Sequence, residues 1–303
     1  VNTSKIGLAI VAPAGCAVDE AVFVRGLGRL EAHGFRVFNY YDHAARHQRF
    51  GGTDEARLAQ LDAAIDNPEV QVIMALRGSY GVSRILPRIP FERLAASGKI
   101  LVGFSDITAI HLGLLAKTGV CSYAGPMVYG DFGADQEVSF TLDDFKACLK
   151  GPAHVVKGAA SSNPVTDVEG TVWGGNLAMV NHLIGTPYLP KVDGGIFFIE
   201  DINDHPYRIE RNLLQMLYAG ALDGQQAILI GEISNYKLAP FDNGYDFDAM
   251  LAFLRQTLPM PVLTGLPFGH GTVRATIPVG AHGKLSCNGG DFTLTLTDYP
   301  CLT

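Results

Sequence analysis

The sequence predicts an α/β protein of two units, a parallel-sheet α/β domain over residues 1–150 and a mixed α+β, partly barrel-like domain over residues 169–303. Three observations predict it. Through the first half, short apolar runs alternate with helix-patterned segments, the order that builds a parallel sheet covered on both faces. After about residue 150 the texture changes: "KGPAHVVKGAASSNPVTDVEG" is rich in Gly, Pro and Ser and weakly periodic, so 151–168 reads as a linker. A chain of 303 residues, 48% apolar, has the length and the material for two cores.

In chain order, "KIGLAIVAPA" is a buried strand ending in a loop, and "DEAVFVRGLGRLEAHG" a helix closed by Gly34. "FRVFNY" is the second strand. "TDEARLAQLDAAIDNP" is a helix whose cap is Thr53. "VQVIMALRGSYG" runs as a strand into a glycine loop, "PFERLAASG" is a short helix, and "KILVGFS" a fourth strand feeding the helix "DITAIHLGLLAKTG". In such sheets the ligand crevice lies beyond the carboxyl ends of the strands, where Pro13, Arg77–Gly81 and Ser105 all fall. The second half offers the strands "GGIFFIEDI", "QAILIGEI", "PVLTGLPFG", "RATIPVG", "AHGKLSC" and "FTLTLTD" around the helices "YRIERNLLQMLYAG" and "FDAMLAFLRQTL".

Composition narrows the function. A net charge of -7 with no long basic run argues against nucleic acid or an anionic membrane as partner. The five cysteines are odd in number and form no C-x-x-C pair, which fits a reducing, cytoplasmic setting. The segment "VNTSKIGLAIVAPAGC" enters a strand directly, so neither a signal peptide nor a membrane span is expected. No metal site is expected either. Asp201, Asp204 and His205 lack ligand spacing, and His43 and His47 have no supporting carboxylate motif.

Five stretches carry candidate chemistry. Ser105 follows Gly-x at a strand-to-helix turn, where a serine is either an N-cap or a nucleophile held above the turn with backbone N–H groups around it. The G-x-S-x-G pattern is incomplete, because Ile107 stands at the last glycine. In "LRGSYGVSRILP", Gly78 and Gly81 allow a tight bend with N–H groups turned outward, and Arg77 and Arg84 add donors for a carboxylate. Glu200 ends the apolar run "GGIFFIE", where a carboxylate is either paired or has a task; Glu210, in a helical stretch beside Arg208 and Arg211, is expected to pair there. His270 stands between two glycines after a strand, free to reach across a cleft. Trp173 and Asn176, beside a Gly-Gly pair, read as a substrate wall or as a contact joining the units.

Together, "ALRGSYGVSRILP", "VGFSDITAIHLGLL", "GTVWGGNLAMVNHLIGTPYLP", "FIEDINDHPYRIERNLLQ" and "LPFGHG" resemble the LD-carboxypeptidases, also called muramoyltetrapeptide carboxypeptidases. The resemblance runs from about residue 6 to the last strand. It implies a serine peptidase with Ser105 as nucleophile, Glu200 as acid and His270 as general base, at the interface of the two domains. It also implies an oxyanion site from the backbone of Asp106 with Gly78 or Ser79, no cofactor, a murein tetrapeptide substrate losing its terminal D-Ala, and a homodimer. Arg77 is a candidate clamp for the terminal carboxylate, with Trp173 and Asn176 as further substrate-binding residues. One departure stands out: Ser79 replaces the second glycine of the usual R-G-G-Y-G. Alternatives are a same-fold immunity peptidase acting on a peptidyl-nucleotide antibiotic and a catalytically silent muropeptide-binding protein.

Overall fold

The computed structural model describes residues 5–302. Its first half supplies strands β1 (Ile6–Val11), β2 (Phe35–Asn39), β3 (Val72–Ala75), β4 (Ile100–Gly103) and β5 (Ser122–Ala124). Between and after them come helices α1 (Glu20–Ala32), α2 (Asp54–Asp66), α3 (Val82–Ile85), α4 (Phe91–Ala96), α5 (Thr108–Thr118) and α6 (Ser139–Lys150). The second half supplies β6 (His154–Gly158), β7 (Thr166–Asn176), β8 (Ile196–Ile202), β9 (Ala227–Ser234) and β10 (Val262–Thr264). It closes with β11 (Ile277–Val279), β12 (His282–Cys287) and β13 (Phe292–Thr297), and its helices are α7 (Leu177–His182), α8 (Pro206–Tyr218) and α9 (Phe247–Thr257).

The first sheet has six strands in the order β11-β5-β4-β3-β1-β2, with β1 to β5 mutually parallel. Every residue of β3 and β4 is buried, which is why these strands read as continuous apolar runs rather than alternating ones. The caps fall as expected: Thr53 Oγ1 accepts the Ala56 N–H at the start of α2, and Gly34 follows α1 at φ +93°. The sixth strand comes from the other half of the chain. β11, within the stretch "RATIPVG" expected in the second unit, pairs antiparallel with β5 and so laces the two halves together.

The second sheet has seven strands in the order β10-β9-β8-β7-β12-β13-β6. β7 is its pivot: its first half pairs antiparallel with β12 and its last five residues pair parallel with β8. The partly barrel-like expectation has a specific outcome, a strongly curled open sheet. No strand ladder joins the edges among the described residues. Instead Ala159 N–H donates to Gly265 O at 3.3 Å, and Asn163 holds Thr264 through both its amide nitrogen and its oxygen. The segment 151–168, expected as a linker, contains β6 and the start of β7, because alternate residues of "HVVKG" (His154, Val156 and Gly158) are buried in the curl.

Helix α5 joins the sheets. Its residues Thr108–Leu114 are all buried, so it is packed on every side, and its two polar side chains there, Thr108 and His111, are hydrogen-bonded. It touches β5 and β11 of the first sheet, and β7 and α7 of the second. Ser105 stands one turn before this helix, and the geometry of the site follows from that position.

Candidate active site

β4 delivers the chain into a turn at which Ser105 takes a left-handed conformation, φ +63°. For a residue with a side chain this costs about 1–2 kcal/mol, and such strain persists only where surrounding structure over-determines it. Ser105 is not an N-cap: α5 begins after Ile107 without any side-chain cap, and the Ser105 hydroxyl instead lies 3.0 Å from His270 Nε2. The missing glycine at Ile107 is accommodated from the other side. Gly103 leaves room for the Ile107 side chain, which a Cβ at position 103 would approach to 3.1 Å.

His270 reaches Ser105 from the loop after β10. Its Nδ1 lies 2.6 Å from Glu200 Oε2 on β8. A carboxylate only accepts, so Nδ1–H donates to Glu200 and Nε2 is left to accept from the Ser105 hydroxyl. Glu200 is fully buried. The pairing of β8 with β9 slips between Ile199 and Asp201, a bulge that turns both Glu200 and Asp201 into the interior. Asn176 Nδ2 donates to Glu200 Oε1 at 3.1 Å, and the Asn176 backbone N–H donates to Thr108 Oγ1 at 3.0 Å. The hydrogen bonds therefore run from Ser105 through His270, Glu200 and Asn176 back to Thr108, one turn from the serine. The close approach needs Gly175, whose place no side chain can take: a Cβ there would stand 2.6 Å from Thr108 Oγ1.

The glycine turn after β3 covers the other side of the serine. A Cβ at Gly78 would lie 2.7 Å from Ser105 Cβ and 2.8 Å from its Oγ. Asp106, next to the serine, accepts the Val82 N–H at 2.7 Å and so ties the serine turn to the end of the glycine turn. Burial pushes the Asp106 carboxyl up to about 6, against the opposing pull of the Val82 and Gly81 N–H groups. Arg57, fully buried, donates to Pro13 O and to Gly81 O and anchors the same turn from below. Arg77 is half-buried, with Nη1 on Cys16 O at 3.1 Å and its guanidinium 5.3 Å from the Tyr129 ring centre.

Two expected substrate residues are buried. Trp173 is 1% exposed, its indole N–H donates to Gln225 Oε1 at 2.7 Å, and its ring packs on Phe197. It is a core residue, because β7 runs between two neighbours and turns this side chain inward. Asn176 is 6% exposed, with its amide on Glu200 Oε1. Glu210 binds the Tyr245 hydroxyl at 2.7 Å, not the neighbouring arginines, while Arg208 pairs with Asp204. Unforeseen were Phe104 and Arg274. The Arg274 guanidinium lies 3.7 Å from the Phe104 ring centre, Phe104 contacts the His270 ring at 4.9 Å, and Arg274 is ion-paired with Asp131. The only sequence signal was adjacency, Phe104 preceding the serine and Arg274 following the histidine loop.

Comparison with known proteins agrees with this architecture. Residues 8–125 match the N-terminal domain of the LD-carboxypeptidases and residues 169–285 their C-terminal domain. The chain belongs to the LD-carboxypeptidase family, and it is a serine-type carboxypeptidase. The crystal structure of a muramoyltetrapeptide carboxypeptidase from Oxalobacter formigenes aligns with a TM-score of 0.93 at 46% identity, covering 97% of this chain and 99% of that one. The murein tetrapeptide carboxypeptidase of Pseudomonas aeruginosa is 30% identical over 93% of each chain. The microcin C7 self-immunity protein MccF aligns with a TM-score of 0.88 at 22% identity, covering 99% of this chain and 98% of its own, a likeness of fold alone.

Proposed function

We propose that this enzyme removes the terminal D-Ala from peptidoglycan-derived tetrapeptides, using Ser105, His270 and Glu200 as a catalytic triad. The observation that carries the reading is the continuous Ser105–His270–Glu200 line, at 3.0 and 2.6 Å, drawn from three separate loops and strands. A hydroxyl is a weak nucleophile until a base takes its proton, and the base needs an acceptor on its other nitrogen. Ser105 Oγ attacks the scissile carbonyl as His270 Nε2 takes its proton. Glu200 holds the ring in the required tautomer and balances the imidazolium that forms. The oxyanion faces the backbone N–H groups of Asp106 and of Gly78 or Ser79. His270 then protonates the departing D-Ala nitrogen, and water, deprotonated by His270, releases the acyl group from Ser105.

The two names quoted above support the murein tetrapeptide as substrate. A cavity of about 460 Å³ lined by Asp131, Phe132, Thr141, Gly271 and Thr272 adjoins the histidine loop and offers space for a peptide chain. Cytoplasmic action rests on the five free cysteines, and a homodimer is part of the same reading, open to sedimentation velocity. Mass spectrometry of L-Ala-γ-D-Glu-meso-diaminopimelate-D-Ala after incubation with enzyme tests the whole. Release of one D-Ala is expected, with a loss of several powers of ten for Ser105→Ala. No release by the native enzyme, with cleavage of a peptidyl-nucleotide in the same assay, would replace this reading by the immunity-peptidase one.

A further inference from the structure

Ser79, the residue that departs from the family's glycine pattern, sits in left-handed backbone at φ +72°, a conformation that a side chain makes unfavourable. Its hydroxyl has a partner that glycine would not provide: Arg49 Nη2 donates to Ser79 Oγ at 2.8 Å. Arg49 is also held through its backbone, whose carbonyl accepts the Cys16 N–H at 3.0 Å, and its guanidinium lies 6.0 Å from the Tyr80 ring centre. Among the described residues no carboxylate lies within ion-pair distance of Arg49, whereas Arg57 and Arg84 share Asp54 and Arg274 is matched to Asp131.

Position gives this unpaired cation a task. Gly78 touches Ser105, Ser79 follows Gly78, and Arg49 stands on Ser79, so the guanidinium lies beside the oxyanion turn. In the substrate of a carboxypeptidase the terminal carboxylate is one Cα beyond the scissile nitrogen. Its binding group must therefore lie next to the oxyanion turn, and a guanidinium with free N–H donors suits a carboxylate. Arg77, also without a carboxylate partner among the described residues, is half-buried with Nη1 on Cys16 O and its guanidinium over Tyr129, whereas Arg49 is exposed and stands on Ser79 itself.

We propose that Arg49, held on the Ser79 hydroxyl, receives the terminal carboxylate of the substrate and sets the preference for a free C-terminus. The proposal rests on the carboxypeptidase reading above. Its test compares kcat/KM for the tetrapeptide and for its C-terminal amide in the native enzyme and in Arg49→Met, Arg49→Lys, Arg77→Met and Ser79→Gly. Arg49→Met should lower kcat/KM for the acid roughly 10- to 100-fold, mostly through KM, and leave the amide within about twofold. Arg49→Lys should fall between. Ser79→Gly should lose part of the preference for the acid while gaining thermal stability. An unchanged acid-to-amide ratio in Arg49→Met, equal losses on both peptides in both Arg49 variants, or a ratio lost only in Arg77→Met would each overturn the proposal. Failure of the native enzyme on both peptides would instead refute the carboxypeptidase reading, and the proposal with it.

Discussion

Replacing Gly78 by alanine tests how closely Ser105, the proposed nucleophile, is held. The new Cβ would stand 2.7 Å from Ser105 Cβ and 2.8 Å from Oγ, whereas carbon atoms rest about 3.5–4.0 Å apart. One of the two turns must retreat by about 1 Å. Gly78 lies outside the left-handed region, so alanine brings no backbone penalty of its own and the effect is steric. Neither turn is free to yield alone, because Asp106 binds the serine turn to Val82 and Arg57 holds Gly81. The displacement therefore falls on the 3.0 Å contact between Ser105 Oγ and His270 Nε2. A misplacement of this size costs about 10²-fold in rate, or about 2.7 kcal/mol in the barrier. The assay is steady-state release of D-Ala from the tetrapeptide, with circular dichroism to confirm folding. A kcat about 100-fold lower with KM within about threefold is expected. A Gly78→Ala enzyme with native kcat would show that the glycine turn does not position the serine, and the argument from close packing would fail.

Three further outcomes follow from the geometry. Asn176→Ala removes the amide that binds Glu200 Oε1; kcat should fall ~10- to 100-fold with KM unchanged, and a raised KM at native kcat would return Asn176 to a substrate-binding role. Trp173→Phe deletes the N–H held by Gln225 and should lower stability by about 1–3 kcal/mol in urea unfolding while kcat/KM stays native; a loss of kcat/KM would place the indole at the substrate. His111 is fully buried between Gly103 O and Ser122, and burial pushes its imidazolium down to about 4 from 6.5. Below pH 6.5 the unfolded chain takes up a proton that the native state refuses, so this residue's contribution is present above pH 6.5 and lost as pH falls toward 4, by about 3 kcal/mol. Asp106 and Asp201, both pushed up to about 6 mainly by burial, act in the opposite sense over an overlapping window. The stability difference between native enzyme and His111→Gln isolates the histidine, and a difference independent of pH would refute the assignment.

Local pattern made much of this legible. Continuous apolar runs separated by helical periodicity gave β1 to β5, since residues buried on both faces leave no alternation to misread. Ser105 followed a strand-like run, Glu200 ended an apolar run and His270 stood between glycines after another, and the five family-like stretches singled them out in order along the chain. Trp173 and Asn176 read as a substrate wall or as a contact joining the units because a Gly-Gly-Asn stretch looks the same whether it faces substrate or another backbone. Its meaning depends on Thr108, which lies 68 residues away from Asn176 and is met only when α5 crosses β7.

What the sequence determined by itself was what short-range periodicity, turn residues and motif order encode: the alternating first half, the change of texture near residue 150 and the candidacy of Ser105, Glu200 and His270. The tertiary structure alone decided their meeting. Ser105 and His270 are 165 residues apart, and their contact follows from β11 crossing to the first sheet and α5 packing between the two. It also decided that Arg57 and Arg274 meet carboxylates while Arg49 meets the Ser79 hydroxyl, because arginines alike in sequence differ in the acids that folding brings to them. Charge pairing across such separations depends on the path of the whole chain, and no local pattern carries it.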